Sequence, residues 1–146
     1  MTNVSKLLTS KPSKVWYVSP DETVFHALEL MKEKGIGALT VVKDKILIGI
    51  MSERDYARKI ELESRSSKET LVKDIMTSNV CYTDPNQDIE ECMVVMTKKS
   101  FRHLPVLDDN RLVGMISMGD VVKQLIQEQK HKIKDLENYI TWEESY

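Results

Sequence analysis

The sequence lacks any stretch that is long and apolar enough to span a membrane. Its longest run without a charged residue covers nine positions, 75–83, whereas a spanning helix needs about 20. The amino terminus also lacks an apolar segment of the length that a secretion signal has. From these two absences we expect a cytoplasmic protein without a membrane partner.

Cysteine is scarce, which limits both disulfides and metal sites. The chain has two cysteines, Cys81 and Cys92. Without an export signal they are interpreted as free thiols. Together with His103 they match no zinc-ligand spacing. We therefore predict no metal ion and interpret these three side chains as structural.

The chain also lacks a large net charge of either sign. Lys and Arg number 21 against 23 Asp and Glu, so the net charge is −2 and no overall basic field attracts nucleic acid. A small basic patch surrounds Phe101, but nucleic-acid binding requires a longer basic stripe. Neither a Walker glycine loop nor a recognisable catalytic set is present. We therefore expect neither nucleic-acid binding nor enzymatic activity.

What the chain does contain is an internal repeat. With an offset of 65, residues 15–60 align with residues 80–125 without a gap, and 12 of the 46 pairs are identical. Apolar periodicity predicts the order β-α-β-β-α in both halves. Each unit alone would leave an apolar face uncovered, so we expect the two to pack together. The predicted fold class is α/β, close to α+β.

The repeat also predicts where the units begin and end. Residues 1–66 form the first repeat, residues 67–130 the second, and residues 131–146 a helical tail. Ile126, Ile133 and Ile140 form a stripe with a spacing of seven. Such a stripe suits a partner helix. A tail helix folded back on its own domain fits the same pattern, and both interpretations stay open.

One motif, Gly-x-x-Ser-x-x-Asp, occurs at Gly49–Asp55 and again at Gly114–Asp120. Each occurrence follows an apolar strand and precedes a helix. The glycine permits close approach to the backbone, and the serine caps a helix whose free N–H groups attract anions. With the carboxylate added, the junction suits a sugar diol joined to a phosphate. A capping box has the same pattern, but its repetition behind a glycine and a strand favours a ligand site.

Further motifs accompany these junctions in both halves. They are Pro-x-x-Thr/Asp-Val/Ile-x-x-Ala/Cys-Leu/Met-x-x-Met and the strands at residues 38–42 and 103–107. In this order, twice, they resemble a tandem pair of cystathionine-β-synthase (CBS) domains, also called a Bateman module. The resemblance extends from Val4 to Gln129.

The resemblance implies two sheets packed together about a pseudo-twofold axis, with two clefts between the repeats. In the family such clefts take adenosine-containing ligands: AMP, which we expect first, or ADP, ATP, NAD or S-adenosylmethionine. It also implies a homodimer that signals ligand binding to an unknown downstream protein. The alternative is a structural or interaction dimer whose clefts stay empty.

The resemblance further implies which residues line each cleft. One cleft would use Ser52, Arg54, Asp55, Asp84, Ile89 and Phe101, and the other Ser117, Asp120, Ser19, Val24 and Ile36. The aspartates would accept hydrogen bonds from ribose hydroxyls, as acidic residues do in dinucleotide folds. The backbone beside Phe101 or Ile36 would meet adenine. Because a guanidinium can grip a phosphate with two parallel hydrogen bonds, the cleft with Arg54 is expected to prefer a charged nucleotide.

Overall fold

The chain folds as two copies of one α/β unit, preceded by a short helix and extended by a long one. The computed structural model describes residues 2–10 and 15–144. The elements are α1 (Val4–Thr9), β1 (Tyr17–Val18), α2 (Val24–Lys34), β2 (Ala38–Lys43), β3 (Ile46–Ser52), α3 (Glu53–Tyr56), α4 (Ile89–Lys99), β4 (His103–Asp108), β5 (Arg111–Ser117) and α5 (Met118–Glu144). The predicted fold class, including the helical extension, is confirmed.

Each copy contains its own small sheet. Strand β2 pairs parallel with β1 and antiparallel with β3, and β4 pairs antiparallel with β5. In the second copy, the segment that corresponds to β1 forms a single parallel bridge, between Thr83 and Val106. The registers place Ser52 opposite Ala38 and Ser117 opposite His103. Each junction serine therefore lies beside the first residue of the neighbouring strand.

The central helices of the two copies end in the same way. Helix α2 begins after Thr23, whose side chain accepts from the His26 N–H at 3.1 Å, and it ends at Gly35 with a φ of 64°. In α4 the corresponding cap is Ser100, with a φ of 58°. This left-handed conformation is easy for glycine and costs free energy for serine. The sequence predicts Thr23 as the start and Gly35 as the end of this helix, and both are confirmed.

Two helical predictions need correction. The apolar spacing predicts a helix from Ser52 to about Leu62, but the chain changes after α3 into π-helical turns over Ala57–Glu61. It also predicts a short helix over residues 71–76, where the structure has a single 3₁₀ turn, Val72–Asp74. In both places the apolar spacing identified a helical turn but could not distinguish its hydrogen-bond pattern.

The two cores exchange the segments that precede the copies. We call residues 4–10 the first arm and residues 72–77 the second arm. Val4 and Leu7 of the first arm are buried in the core of the second copy, whereas Val72 and Ile75 of the second arm are buried in the core of the first. Each core therefore contains residues from both sides of the predicted boundary at residue 66. That boundary divides the sequence repeat and does not divide the two cores.

The arms explain the glycine of the repeated motif. A Cβ atom on Gly49 would lie 2.5 Å from Met76 Sδ and 3.2 Å from the Thr77 carbonyl oxygen. On Gly114 it would lie 2.7 Å from a methyl carbon of Leu8. The expected close approach to the backbone is therefore made by an arm of the same chain.

We predict that Gly49→Ala lowers the free energy of unfolding by about 1–3 kcal/mol, because the added methyl group must push the second arm away. Urea denaturation followed by circular dichroism would measure this. Gly119→Ala is the control, since its nearest neighbour, Ser117 Oγ, would lie 3.7 Å away; it should be neutral or stabilising by up to about 1 kcal/mol. Equal losses for the two variants would contradict the packing argument.

Helix α5 is the longest element, with 27 residues. Its beginning is held by the second core, where Val121 is fully buried. Among the helices that the structure describes, none combines the length and apolar character needed to cross a membrane.

Candidate functional site

Both repeated junctions form capping boxes. In the first, the Asp55 N–H donates to Ser52 Oγ at 3.2 Å and the Ser52 N–H donates to Asp55 Oδ2 at 2.9 Å. In the second, the Asp120 N–H donates to Ser117 Oγ at 3.1 Å and the Ser117 N–H donates to Asp120 Oδ2 at 2.9 Å. Each carboxylate thus holds the start of its own helix, and a ribose would have to use the remaining acceptor positions.

Asp55 has further partners on its second oxygen. Lys59 Nζ lies 3.0 Å from Oδ1, and the Thr77 hydroxyl donates to the same atom at 3.3 Å. Lys59 also donates to the Ile75 carbonyl at 2.8 Å. The ammonium group therefore links the first junction to the second arm and neutralises a carboxylate whose side chain is only 11% exposed.

A cavity of about 790 Å³ lies beside the first junction, between the two copies; we call it the first cleft. The predicted residues that line it are Ser52, Arg54, Asp55 and Phe101. Asp84 and Ile89 do not line it. Ile89 is fully buried in the second core, and Asp84 is exposed, where its Oδ1 accepts from the Asn86 N–H at 2.8 Å.

Arg54 connects the two copies across the first cleft. Its guanidinium donates to the carbonyl oxygen of Ser100, the residue that ends α4. A guanidinium has five N–H donors, so this bond leaves capacity for an anion. Glu53, Arg102 and His103 also line the cleft, which therefore presents side chains of both charges.

A second, smaller cavity of about 420 Å³ lies beside the second junction. The described residues that line this second cleft are Arg102, His103, Ser117, Met118 and Gly119. Of the predicted set only Ser117 is among them.

The other predicted residues of the second cleft have structural surroundings. Val24 is fully buried, and Ile36 packs against the first core. The Ser19 N–H donates to the Glu22 carboxylate at 2.7 Å, and Asp120 caps α5. Their assignment to a ligand stays a prediction.

Sequence reasoning missed several residues of the first cleft. Thr77, Cys81, Arg102, His103 and Met118 line it, although Cys81 and His103 were interpreted as structural. Arg102 and His103 directly follow Phe101, so their position in the chain was a usable signal. Thr77 reaches the cleft because the second arm crosses to the first copy, whereas Cys81 packs against the core of the second copy. No local sequence pattern indicates either position.

The cysteines differ in their surroundings. Burial raises the pKa of the Cys92 thiol above its usual value, which keeps it protonated and unreactive. Cys81 is half-buried at the first cleft. Over residues 2–10 and 15–144, no cluster of three or more His, Cys, Asp or Glu side chains could hold a metal ion.

We predict that Lys59→Met lowers the free energy of unfolding by about 1–3 kcal/mol, because it leaves the largely buried Asp55 carboxylate without its cation. Lys73→Met is the matched control: its ion pair with Asp21, at 3.3 Å, is 49% and 66% exposed and should contribute at most about 0.5 kcal/mol. Urea titrations of both variants test this, and similar midpoints for the two would refute it.

Comparisons with known proteins agree with this architecture. The family model named CBS domain matches residues 4–62 and 72–127. The mitochondrial CBS domain-containing protein CBSX3 of Arabidopsis thaliana is 38% identical over 148 residues, which cover 95% of this chain and 72% of that protein. A solved protein with CBS domains from Burkholderia ambifaria is 49% identical, with a TM-score of 0.85 over 88% of this chain and 96% of its own.

One solved structure adds information on ligands. The CBS domain pair of protein MJ0100, in complex with 5′-methylthioadenosine and S-adenosyl-L-methionine, has a TM-score of 0.75 over 88% of this chain and 98% of its own. At 21% identity, this similarity concerns the fold.

Proposed function

Since this chain belongs to the CBS domain family, as a tandem pair, we propose that it is a regulatory module that binds an adenosine-containing ligand in its first cleft. The observation that carries the proposal is the cavity of about 790 Å³ that joins Asp55 and Arg54 of one copy to Phe101 of the other. Small-molecule sites typically enclose roughly 300–1,000 Å³. The adenosine ligands of the MJ0100 pair support the same class of ligand.

In the proposed pose the ribose lies at Asp55. A ribose hydroxyl would take the place of the Thr77 hydroxyl on Oδ1, while Oδ2 keeps its capping bond. The phosphate lies at Arg54, whose guanidinium can donate to the phosphate while it still donates to the Ser100 carbonyl oxygen. Adenine lies beside Phe101. Among the adenosine phosphates, AMP carries the least negative charge, which suits a cleft that Glu53 also lines. ADP, ATP and NAD are the other candidates.

The proposed role is sensing rather than catalysis. Because Arg54, Ser100 and Thr77 connect the two copies and an arm, a ligand that rearranges these bonds changes how the copies are held together. A ligand shifts such an equilibrium only by its differential affinity for the two arrangements. We propose that a homodimer transmits the shift to a downstream protein in the cytoplasm. Ligand at the second cleft, around Ser117, is part of the same proposal.

We predict that Asp55→Asn weakens nucleotide binding about 10–100-fold, because the ribose loses a charged acceptor. Asp120→Asn is the matched control for the first cleft, since it disturbs the same capping box beside the second cleft and should leave the affinity of the first cleft unchanged. Isothermal calorimetry with AMP, ADP, ATP and NAD measures both. If the two variants bind as the parent protein does, Asp55 does not hold the ligand.

We also predict that a bound ligand shields Cys81 from a thiol reagent. At a ligand concentration of about ten times Kd, the rate at which Ellman's reagent modifies Cys81 should fall about tenfold, following the free fraction of protein. The variant Cys81→Ser shows which kinetic phase belongs to Cys81, because that phase disappears in it. The buried Cys92 reacts slowly in both proteins. Binding seen by calorimetry without protection would place the ligand outside the first cleft.

A thermal-shift series with the same nucleotides distinguishes the proposal from its alternative. A ligand that binds only the folded chain raises its melting temperature by mass action. No shift at millimolar concentrations of every nucleotide would favour a structural dimer whose clefts stay empty.

A further inference from the structure

The second half of α5 carries an apolar stripe that no other described part of the chain covers. Every residue from Gln129 to Trp142 is exposed. The stripe consists of Ile126, Ile133, Leu136 and Ile140, which are 50%, 54%, 63% and 54% exposed. The described part of the tail therefore does not fold back on its own domain, one of the two arrangements that are compatible with the sequence.

An uncovered helix of this kind needs a partner. Isolated helices of about 12–15 residues are marginal in water, and this segment adds a row of large apolar side chains to the solvent-exposed surface. Its spacing is the narrow seam of a coiled coil rather than the broad face of a core helix. Another helix with a matching seam would cover it.

The order of residues along the seam favours two parallel strands. Ile126, Ile133 and Ile140 occupy the a positions of the heptad, and Gln129 and Leu136 the d positions. Isoleucine at a with leucine at d is typical of parallel dimers, and a single polar core residue fixes the register. In such a pair the Gln129 amide meets the same amide of the other strand. An antiparallel pair would place it against Ile140.

The charges beside the seam are complementary to a second copy. Lys132 lies at a g position and Glu137 at the following e position, the two sites that meet across a parallel pair. The twofold axis would therefore create this attraction twice. Residues 128–142 carry three lysines and three acidic residues. That balance does not fit the basic face of helices that lie on anionic membranes.

We propose that residues 126–140 of α5 pair in parallel with the same segment of a second copy of this chain. The inference assigns a contact to the homodimer of the proposed function and does not depend on ligand binding. Its failure would therefore leave the nucleotide proposal standing, and the failure of nucleotide binding would leave this one standing.

Cross-linking of the full chain tests the pairing directly. In a Cys81→Ser background, Ile140→Cys places a thiol in the seam, and Asn138→Cys places one on the opposite face as the matched control. A short bis-maleimide should join the chains of the Ile140→Cys protein at least about tenfold faster, because only seam positions approach closely in a two-stranded coil. Equal rates, or no cross-linked dimer at position 140, would overturn the proposal.

This measurement distinguishes the alternatives. In an antiparallel pair, residue 140 lies far from its counterpart, so the cross-link would not form. A dimer formed only through the globular part would also leave position 140 unlinked.

Charge reversal tests whether the partner is a second copy. Lys132→Glu and Glu137→Lys each create like-charge contacts in a self-pair, whereas a mixture of the two proteins restores both attractions. Energy transfer between labelled chains should show a ratio of mixed pairs to self-pairs about tenfold above the 1:1 ratio of random exchange. Because contacts within one helix are the same in self-pairs and mixed pairs, random mixing would count against the proposal.

Discussion

The packing of each arm against a glycine of the other copy is the contact on which the rest of the structure depends. Met76 lies where a side chain at position 49 would be, and Leu8 does the same at position 114. Next to Met76, Thr77 pairs with Ile50 through backbone hydrogen bonds of 3.0 and 2.9 Å. This pairing brings the Thr77 hydroxyl to the Asp55 carboxylate. The first cleft has that wall because the second arm crosses between the copies.

The Asp55 carboxylate shows why one motif supports two interpretations. In this chain the capping box and the predicted ribose site use the same two residues, a serine and the aspartate three positions later, at the start of a helix. Here Oδ2 serves the helix, and Oδ1 meets Thr77 and Lys59. The two roles use different oxygens, so a cap and a ligand contact are compatible. The same carboxylate can hold the helix and still respond to what enters the cleft.

The sequence predicts those parts of the fold that have a regular period. Helix α2 and the strand pairs follow from apolar spacing, glycine and a capping threonine, because these interactions lie within a few residues of one another. The crossing of the arms could not be predicted in this way. It depends on contacts between residues far apart in sequence, such as Leu8 with Gly114, and the segments that connect the arms to the copies carry no periodic pattern.

The candidate site shows the same limit. The repeated motif itself contains Ser52 and Arg54, and Phe101 comes two residues before the strand at 103–107. The resemblance therefore predicts all three at the first cleft. Val24 and Ile89 are the first residues of their helices, and an apolar side chain there can face either a ligand or the core. Both are fully buried. Thr77 comes to the cleft with the second arm and Cys81 from the second copy, and both could be found only from the three-dimensional structure.

The exchanged arms have a consequence for the origin of the chain. A single unit with its own arm could not close its core by this packing, since each arm reaches the other unit. Before the two units were joined in one polypeptide, two separate chains would have had to exchange their amino-terminal segments, as in a domain-swapped dimer. Gene duplication and fusion would then have turned an exchange between two molecules into one within a single molecule.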